Sequence, residues 1–176
     1  MDTSTPPDRS WTPVGEWSLD GEASVPELRR RVAAIAAEHD VERPDPGSPL
    51  LASAPERLAM VCAELAENGI RHGGRPVTVA LARGDGSWLI VVSDRYAAAA
   101  SRPAAPGSRG EGDALGLALV VAASDRVGWY VTGATKHVWA ELGDLPPERW
   151  AAALRGMPRY LPPTPLRATP RSAWDA

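Results

Sequence analysis

The order of predicted elements favours an α+β two-layer sandwich, an α/β class in which helices cover one face of a mixed, mainly antiparallel sheet. Two segments show the three- and four-residue spacing of amphipathic helices. Four segments rich in β-branched residues form two predicted hairpins, and hairpins pair antiparallel strands. The helices do not alternate one for one with these strands, which favours helices layered on one face of the sheet.

The composition is that of a chain of ordinary domain size. It has 176 residues with 22 acidic and 19 basic side chains, for a formal net charge of -3. This balance does not indicate a nucleic-acid binder, and no apolar run approaches a membrane span. The polar start lacks a signal-peptide core, and the single Cys62 can form no disulfide within the chain. We therefore expect a soluble cytoplasmic protein without direct contacts to nucleic acid or membrane.

The distribution of proline predicts one folded domain between two unstructured ends. Residues 1–13 are rich in Pro, Ser and Thr and are expected to be disordered. Residues 14–156 carry the periodic segments and form the predicted domain. Residues 157–176 contain five prolines and are expected to form an extended tail.

The first half of the domain starts with a strand and two capped helices. Val14–Leu19 alternates enough for a short strand. Ser24-Val-Pro-Glu27 has the form of a capping box and precedes a helix that ends near His39. Ser53-Ala-Pro-Glu56 repeats this pattern and begins a second helix. Gly73-Gly74 is expected to end that helix in the left-handed conformation that glycine adopts without steric cost.

The second half contains the two hairpins. Residues 77–83 and 87–94 are predicted strands joined by an Asp-Gly turn. Residues 95–112 lack periodicity, and a loop of this length is usually either a lid or disordered. A short helix over 113–124 and a hairpin over 125–142 follow, and the domain is predicted to end in a helix over 146–155. 

The second helix carries two side chains of chemical interest. Glu64 and Asn68 lie four residues apart, so they project from the same edge of the helix. Asn is a poor helix former in mid-helix because its amide competes for the backbone. A carboxylate and an amide together suit a hydrated Mg²⁺ and a phosphate. The same spacing also fits a solvated pair on the wet face of a core helix, and this alternative stays open.

Two further positions fit a phosphate or nucleotide site. Asp94 ends a predicted strand, where it faces a cleft or starts a turn. Gly112 and Gly116 lie at a loop-to-helix junction, where backbone N–H groups and the helix dipole attract phosphate, although plain loop flexibility also explains glycine there. The P-loop, the Rossmann fingerprint, metal-binding Cys/His spacing and the nucleophile elbow are all missing from the sequence.

Three sequence boxes in this order resemble the GHKL superfamily, the ATP-binding fold of histidine kinases, gyrase-type ATPases and anti-sigma factor serine kinases. The boxes read ELAENGIRHGG, GDALGLALV and KHVWAEL, with Asp94 between the first two. They are most similar to those of small stand-alone anti-sigma regulators of high-GC actinobacteria, which often read ELVTNAVRHG, GTGLGLAIV and KTVWAEL. The resemblance covers roughly Trp17 to Leu142.

The resemblance implies a Bergerat-type ATP-binding fold with ATP and Mg²⁺ as cofactors. Asn68 would hold Mg²⁺, and Glu64 would act as the general base on the attacking hydroxyl or water. Asp94 would accept a hydrogen bond from the exocyclic amine of adenine. The other implied cofactor-binding positions are His72, Gly112, Gly116, Leu117, Ala118 and His137.

The resemblance also implies a function and partners. It indicates an ATP-dependent protein serine/threonine kinase that sequesters a sigma factor and phosphorylates an anti-sigma factor antagonist protein. Relatives often form homodimers, and a homodimer is compatible with the sequence here. A fragment of a histidine kinase is a more distant reading, disfavoured because no dimerisation helix with a phosphorylatable His precedes the domain.

Departures from the family pattern support a second reading. The family's second box normally reads DxGxG, and its glycines let the chain fold under the adenine. Here Asp94 is followed by Arg95, Tyr96 and two alanines, whose Cβ atoms restrict the backbone at that point. Ala114 replaces a usual glycine in the third box. The alternative function is therefore a catalytically weak or inactive GHKL-fold module that regulates transcription by binding partners.

Overall fold

The computed structural model describes residues 2–39, 53–95, 111–144, 149–150 and 152–153. It confirms the predicted α+β class, with helices packed on one face of a mixed, mainly antiparallel sheet. The elements in chain order are β1 (Asp2–Thr3), β2 (Thr12–Leu19), a short 3-10 helix (Glu22–Ser24), α1 (Val25–His39), α2 (Ala54–His72), β3 (Gly74–Gly84), β4 (Ser87–Arg95), α3 (Glu111–Ala123), β5 (Arg126–Thr132) and β6 (Thr135–Gly143). No helix in this described part is long and apolar enough to cross a membrane.

The sheet has the strand order β1-β5-β6-β4-β3-β2. β1 runs parallel to β5, and the other neighbours are antiparallel. Both predicted hairpins are present. Gly86 (φ 66°) and Gly133 (φ 59°) occupy the left-handed region in their turns, which glycine reaches without a clash of its side chain.

The helix-facing side of the sheet forms the main core. Register places Val79 beside Val92 and Val92 beside Val138, so one apolar row crosses three strands. α2 lies over this row, and α1 packs against α2. The fully buried α2 residues Leu58, Val61 and Leu65 bring the stripe expected from their spacing into the core.

α2 starts as predicted and ends differently. The Ser53 hydroxyl accepts a hydrogen bond from the Glu56 N–H at 3.4 Å, which caps the first turn. Gly73 ends the helix in extended conformation (φ −94°, ψ 175°), so the predicted left-handed cap is wrong. Glycine is needed there for space, because a Cβ on Gly73 would overlap the Asp94 side chain.

Disorder was expected over the N-terminal segment (residues 1–13), but Asp2–Thr3 forms the edge strand β1, and the residues that follow it contact the sheet. The Ser4 N–H donates to the Trp129 carbonyl at 2.9 Å, and the Trp139 indole donates to the Ser4 carbonyl at 2.6 Å. Arg9 pairs with the buried Glu141 and donates to the Ser87 hydroxyl. These contacts join residues far apart in the chain, and local composition does not reveal them.

The remaining differences concern the ends of elements. α3 spans Glu111–Ala123 where a helix over 113–124 was predicted, so Gly112 lies in its first turn. Within the predicted helix over 146–155, the four described residues Arg149, Trp150, Ala152 and Ala153 are helical, and Trp150 is buried in the core. The predicted tail 157–176 and most of the predicted loop over 95–112 lie outside the described residues.

Candidate functional site

A small cleft lies between α2 and α3. Its cavity volume is about 20 Å³, room for roughly one water molecule, and the space around it is open to solvent. Both helices contribute to it, and it contains four of the residues that the sequence singles out. From α2 it is lined by Glu64, Glu67, Asn68 and Arg71, and from α3 by Gly116, Leu117 and Val120.

Helical periodicity explains how α2 presents its polar side chains to this cleft. Leu65 and Val61 are buried under the helix and fix its rotation about its own axis. Glu64 and Asn68 then lie at the edge of the buried stripe, half-buried, one turn apart. The predicted pairing of these two side chains on one helix edge is therefore present.

Glu64 lies directly against the α3 backbone. A Cβ built on Gly116 would overlap the Glu64 carboxylate and would lie 3.3 Å from its Cδ atom. Burial raises the pKa of Glu64, the nearby Glu67 carboxylate raises it further, and Arg71 and Arg29 oppose the shift. A carboxylate with a raised pKa accepts a proton more readily, which suits a general base.

Arg71 provides a positive charge at the mouth of the cleft. Its guanidinium contacts Glu67 at 3.0 Å and Glu22, in the 3-10 helix, at 3.1 Å. The sequence indicates the first contact through the i,i+4 spacing on α2, but not the second. Glu67 thus lines the cleft and forms an ion pair with Arg71 there.

Asp94, near the end of β4, is buried against the last turn of α2, beside Gly69 and Gly73. A Cβ on Gly69 would lie 4.0 Å from Asp94 Oδ2, and Lys136 Nζ is 3.0 Å from that oxygen. Burial raises the pKa of Asp94, and Lys136 and His137 oppose the shift. Asp94 therefore contacts α2 close to the α2–α3 cleft, but it is not among the described residues that line the cleft.

His137 lies on the opposite side of the sheet from Asp94, so the structure does not bring it together with the other predicted cofactor-binding residues of the α2–α3 cleft. Register pairs Asp94 with Lys136 and Ser93 with His137, so alternation along β6 turns Lys136 toward the helices and His137 away from them. His137 Nδ1 is 2.7 Å from the Ser93 hydroxyl, and its ring stacks on Tyr130 at 4.6 Å. Burial lowers the pKa of His137, and Asp94 opposes the shift.

Lys136 is the site residue that sequence reasoning missed. Lys136 and His137 are adjacent in the closing box KHVWAEL, and neighbouring strand residues face opposite sides of a sheet, so the sequence shows that one of the two must face the helices. Only the register between β4 and β6 decides which of the two residues, Lys136 or His137, faces Asp94.

The other predicted positions divide between the cleft and its surroundings. Leu117 is half-buried and lines the cleft, whereas Ala118 is exposed and does not. His72 is exposed in the last turn of α2, outside the lining residues. Gly112 belongs to the first turn of α3, so the glycine-rich box is helical from its first residue where a loop-to-helix junction was expected.

The donor set fits a magnesium–phosphate complex better than a metal held by protein alone. Within the described ranges no group of three or more His, Cys, Asp or Glu side chains could hold a metal ion. Mg²⁺ commonly takes one or two protein oxygens and completes its shell with water and substrate phosphates. Asn68 beside Glu64, with Arg71 at the mouth, supplies a set of that kind.

Comparisons with known proteins give a partial likeness. No protein-family model matches the sequence. An alignment of 83 residues is 36% identical to the Signal transduction histidine-protein kinase AfsQ2 of Streptomyces coelicolor. It covers 38% of this chain, and the chain spans only 15% of that protein's length. Part of the chain is thus similar to part of a histidine kinase.

Proposed function

We propose that this chain is an ATP-binding regulator of the GHKL type, a protein serine/threonine kinase that acts on an anti-sigma factor antagonist. One observation carries the proposal. Glu64 and Asn68 on α2 face Gly116 and Leu117 on α3 across a single cleft, although 48 to 52 positions separate Glu64 and Asn68 from Gly116 in the chain. The partial likeness to a histidine kinase supports a kinase-like protein.

The roles follow from the chemistry of phosphoryl transfer, in which a protein mainly positions its substrates and neutralises charge. Asn68 would hold Mg²⁺ through its amide oxygen, and the ion would neutralise phosphate charge. Glu64 would accept the proton of the attacking hydroxyl, a role favoured by its raised pKa. Arg71, at the cleft mouth, would exchange its contact with Glu67 for a phosphate oxygen.

Asp94 and Lys136 would hydrogen-bond to the adenine base. A buried carboxylate accepts from the exocyclic amine of adenine, and an ammonium 3.0 Å away can donate to a neighbouring ring nitrogen. Because Lys136 already pairs with Asp94, base binding would require this ion pair to open or to be shared. We expect this competition to lower the affinity for nucleotide.

Calorimetric titration with Mg-ATP tests the proposal. The wild type should bind, and Asn68→Ala should lower the affinity at least roughly 10-fold, because loss of even an outer-shell partner of a metal ligand costs about 10- to 100-fold. Glu16→Ala is the matched control, because Glu16 is an exposed side chain on β2. Equal affinity for Mg-ATP in wild type and Asn68→Ala would refute the assigned role of the cleft.

A second candidate is a binding module that has lost nucleotide turnover and regulates transcription through protein contacts. The Asp94–Lys136 ion pair favours it, because the adenine-reading carboxylate is already occupied. So does the absence of glycine directly after Asp94 in the sequence. A wild-type protein that binds a sigma factor or antagonist and releases no heat with Mg-ATP would favour this candidate over the kinase.

A further inference from the structure

Gly116 lies in the second turn of α3, where the intrinsic preference of the residue is unfavourable. Glycine inside a helix is less favourable than alanine, because it loses more backbone freedom on folding. The residues that follow it in α3 are Leu, Ala and Val, which form helices more readily. The turn needs no positive φ, since the described glycines with positive φ are Gly86 and Gly133. The reason for glycine at this position must therefore be space.

The side chain that uses this space is Glu64. A methyl group on Gly116 would overlap the Glu64 carboxylate. Gly116 is itself buried, although it borders the α2–α3 cleft. The Glu64 carboxylate thus occupies the volume that an alanine side chain would fill.

We infer that Gly116 is a positioning residue for Glu64: its missing side chain creates the seat that holds the carboxylate against α3 and inside the cleft. This inference rests on the proposed function for the catalytic role of Glu64, but not for the geometry of the seat. The contact lies at the far end of a flexible side chain. An added methyl group should therefore displace Glu64 and leave the two helices in place.

The seat also determines which neighbours the carboxylate has. Glu67 and Arg71 lie on the same helix and line the same cleft. A Glu64 side chain expelled from α3 would move toward water and toward the Glu67 carboxylate, which repels it. Its distance from the attacking hydroxyl would change, and misplacing a catalytic group by about 1 Å can cost roughly 100-fold in rate.

The test is Gly116→Ala, examined alone and with Glu64→Asp. The single variant should unfold at the same temperature as wild type or higher, because alanine is the better helix former. Its kcat should fall by roughly 10- to 100-fold while its Kd for Mg-ATP changes by less than about threefold. Asp is shorter by one methylene, so Gly116→Ala should cost almost nothing in a Glu64→Asp background.

Val121→Ala is the control, since Val121 is an exposed α3 residue outside the cleft. An equal loss of kcat from Gly116→Ala in both Glu64 backgrounds would overturn the inference. A crystal structure of nucleotide-free Gly116→Ala provides a readout that needs no activity. Glu64 displaced with α3 in place supports the seat, and Glu64 unmoved with α3 shifted overturns it. If wild type fails to bind Mg-ATP, the proposed function fails, and this structure still decides the geometry.

Discussion

The ion pair between Asp94 and Lys136 should be essential to the stability of the protein at neutral pH. Asp94 is 2% exposed, and its Oδ2 lies 3.0 Å from Lys136 Nζ. Lys136→Met keeps the length of the side chain and removes the charge, so Asp94 would stay buried without a counter-charge. Removing one partner of a buried pair costs about 3–5 kcal/mol. Because the Lys136 side chain keeps 21% exposure, we expect a loss near the lower end, about 3 kcal/mol.

The pH dependence of this loss follows from the pKa of Asp94. Burial raises that pKa above its value in the unfolded chain, although Lys136 opposes the shift. A carboxyl group of this kind contributes stability below its unfolded pKa and loses it as the pH rises through its folded pKa. Lys136→Met should raise the folded pKa further. The variant should therefore differ most from wild type near neutral pH, and the difference should shrink as acidification protonates Asp94.

Urea unfolding followed by circular dichroism, near neutral pH and in mild acid, measures both effects. The double variant Asp94→Asn/Lys136→Met removes both charges and should recover much of the lost stability at neutral pH. Arg126→Met controls for loss of an exposed cation on the neighbouring strand β5. Our reasoning is refuted if Lys136→Met is as stable as wild type at neutral pH, or if its deficit grows on acidification.

Two further predictions concern other buried groups. Burial raises the pKa of the Cys62 thiol to about 12. A disulfide reagent in mildly alkaline buffer should therefore label Cys62 only as fast as the protein unfolds. Rapid labelling of the folded protein would contradict this prediction. Arg9→Ala should leave the buried Glu141 without its cation and cost about 1–3 kcal/mol. Hydrogen exchange in β5 and β6 should then speed up, and unchanged protection there would show that the N-terminal segment does not stabilise the sheet.

Sequence reasoning succeeded where the signal is local. The cap at Ser53 and the Asp85-Gly86 turn depend on residues within a few positions of one another, and both are present. The pairing of Glu64 with Asn68 on one helix edge needs only the period of the helix. The cleft between α2 and α3 is non-local, and only the resemblance to a known family led us to expect Gly116 opposite Glu64.

Sequence reasoning failed where contacts depend on register or on distant partners. His137 was expected at the nucleotide because of its place in a box, but strand alternation turns Lys136 to that side. Gly73 was read as a left-handed cap, although its role is to admit Asp94. The N-terminal segment was expected to be disordered because its composition is polar, and its contacts with Trp129 and Glu141 cannot be read from that composition.

The most direct test of our central claim is to locate a bound nucleotide. We would titrate ¹⁵N-labelled protein with Mg²⁺ and a non-hydrolysable ATP analogue and follow the backbone amide resonances. Shifts should concentrate at residues 64–71 of α2, at residues 116–120 of α3 and around Asp94 and Lys136, and Trp139 and Glu141 on the opposite face should stay unchanged. Shifts centred on that opposite face, or no shifts at saturating analogue, would contradict a nucleotide site between α2 and α3.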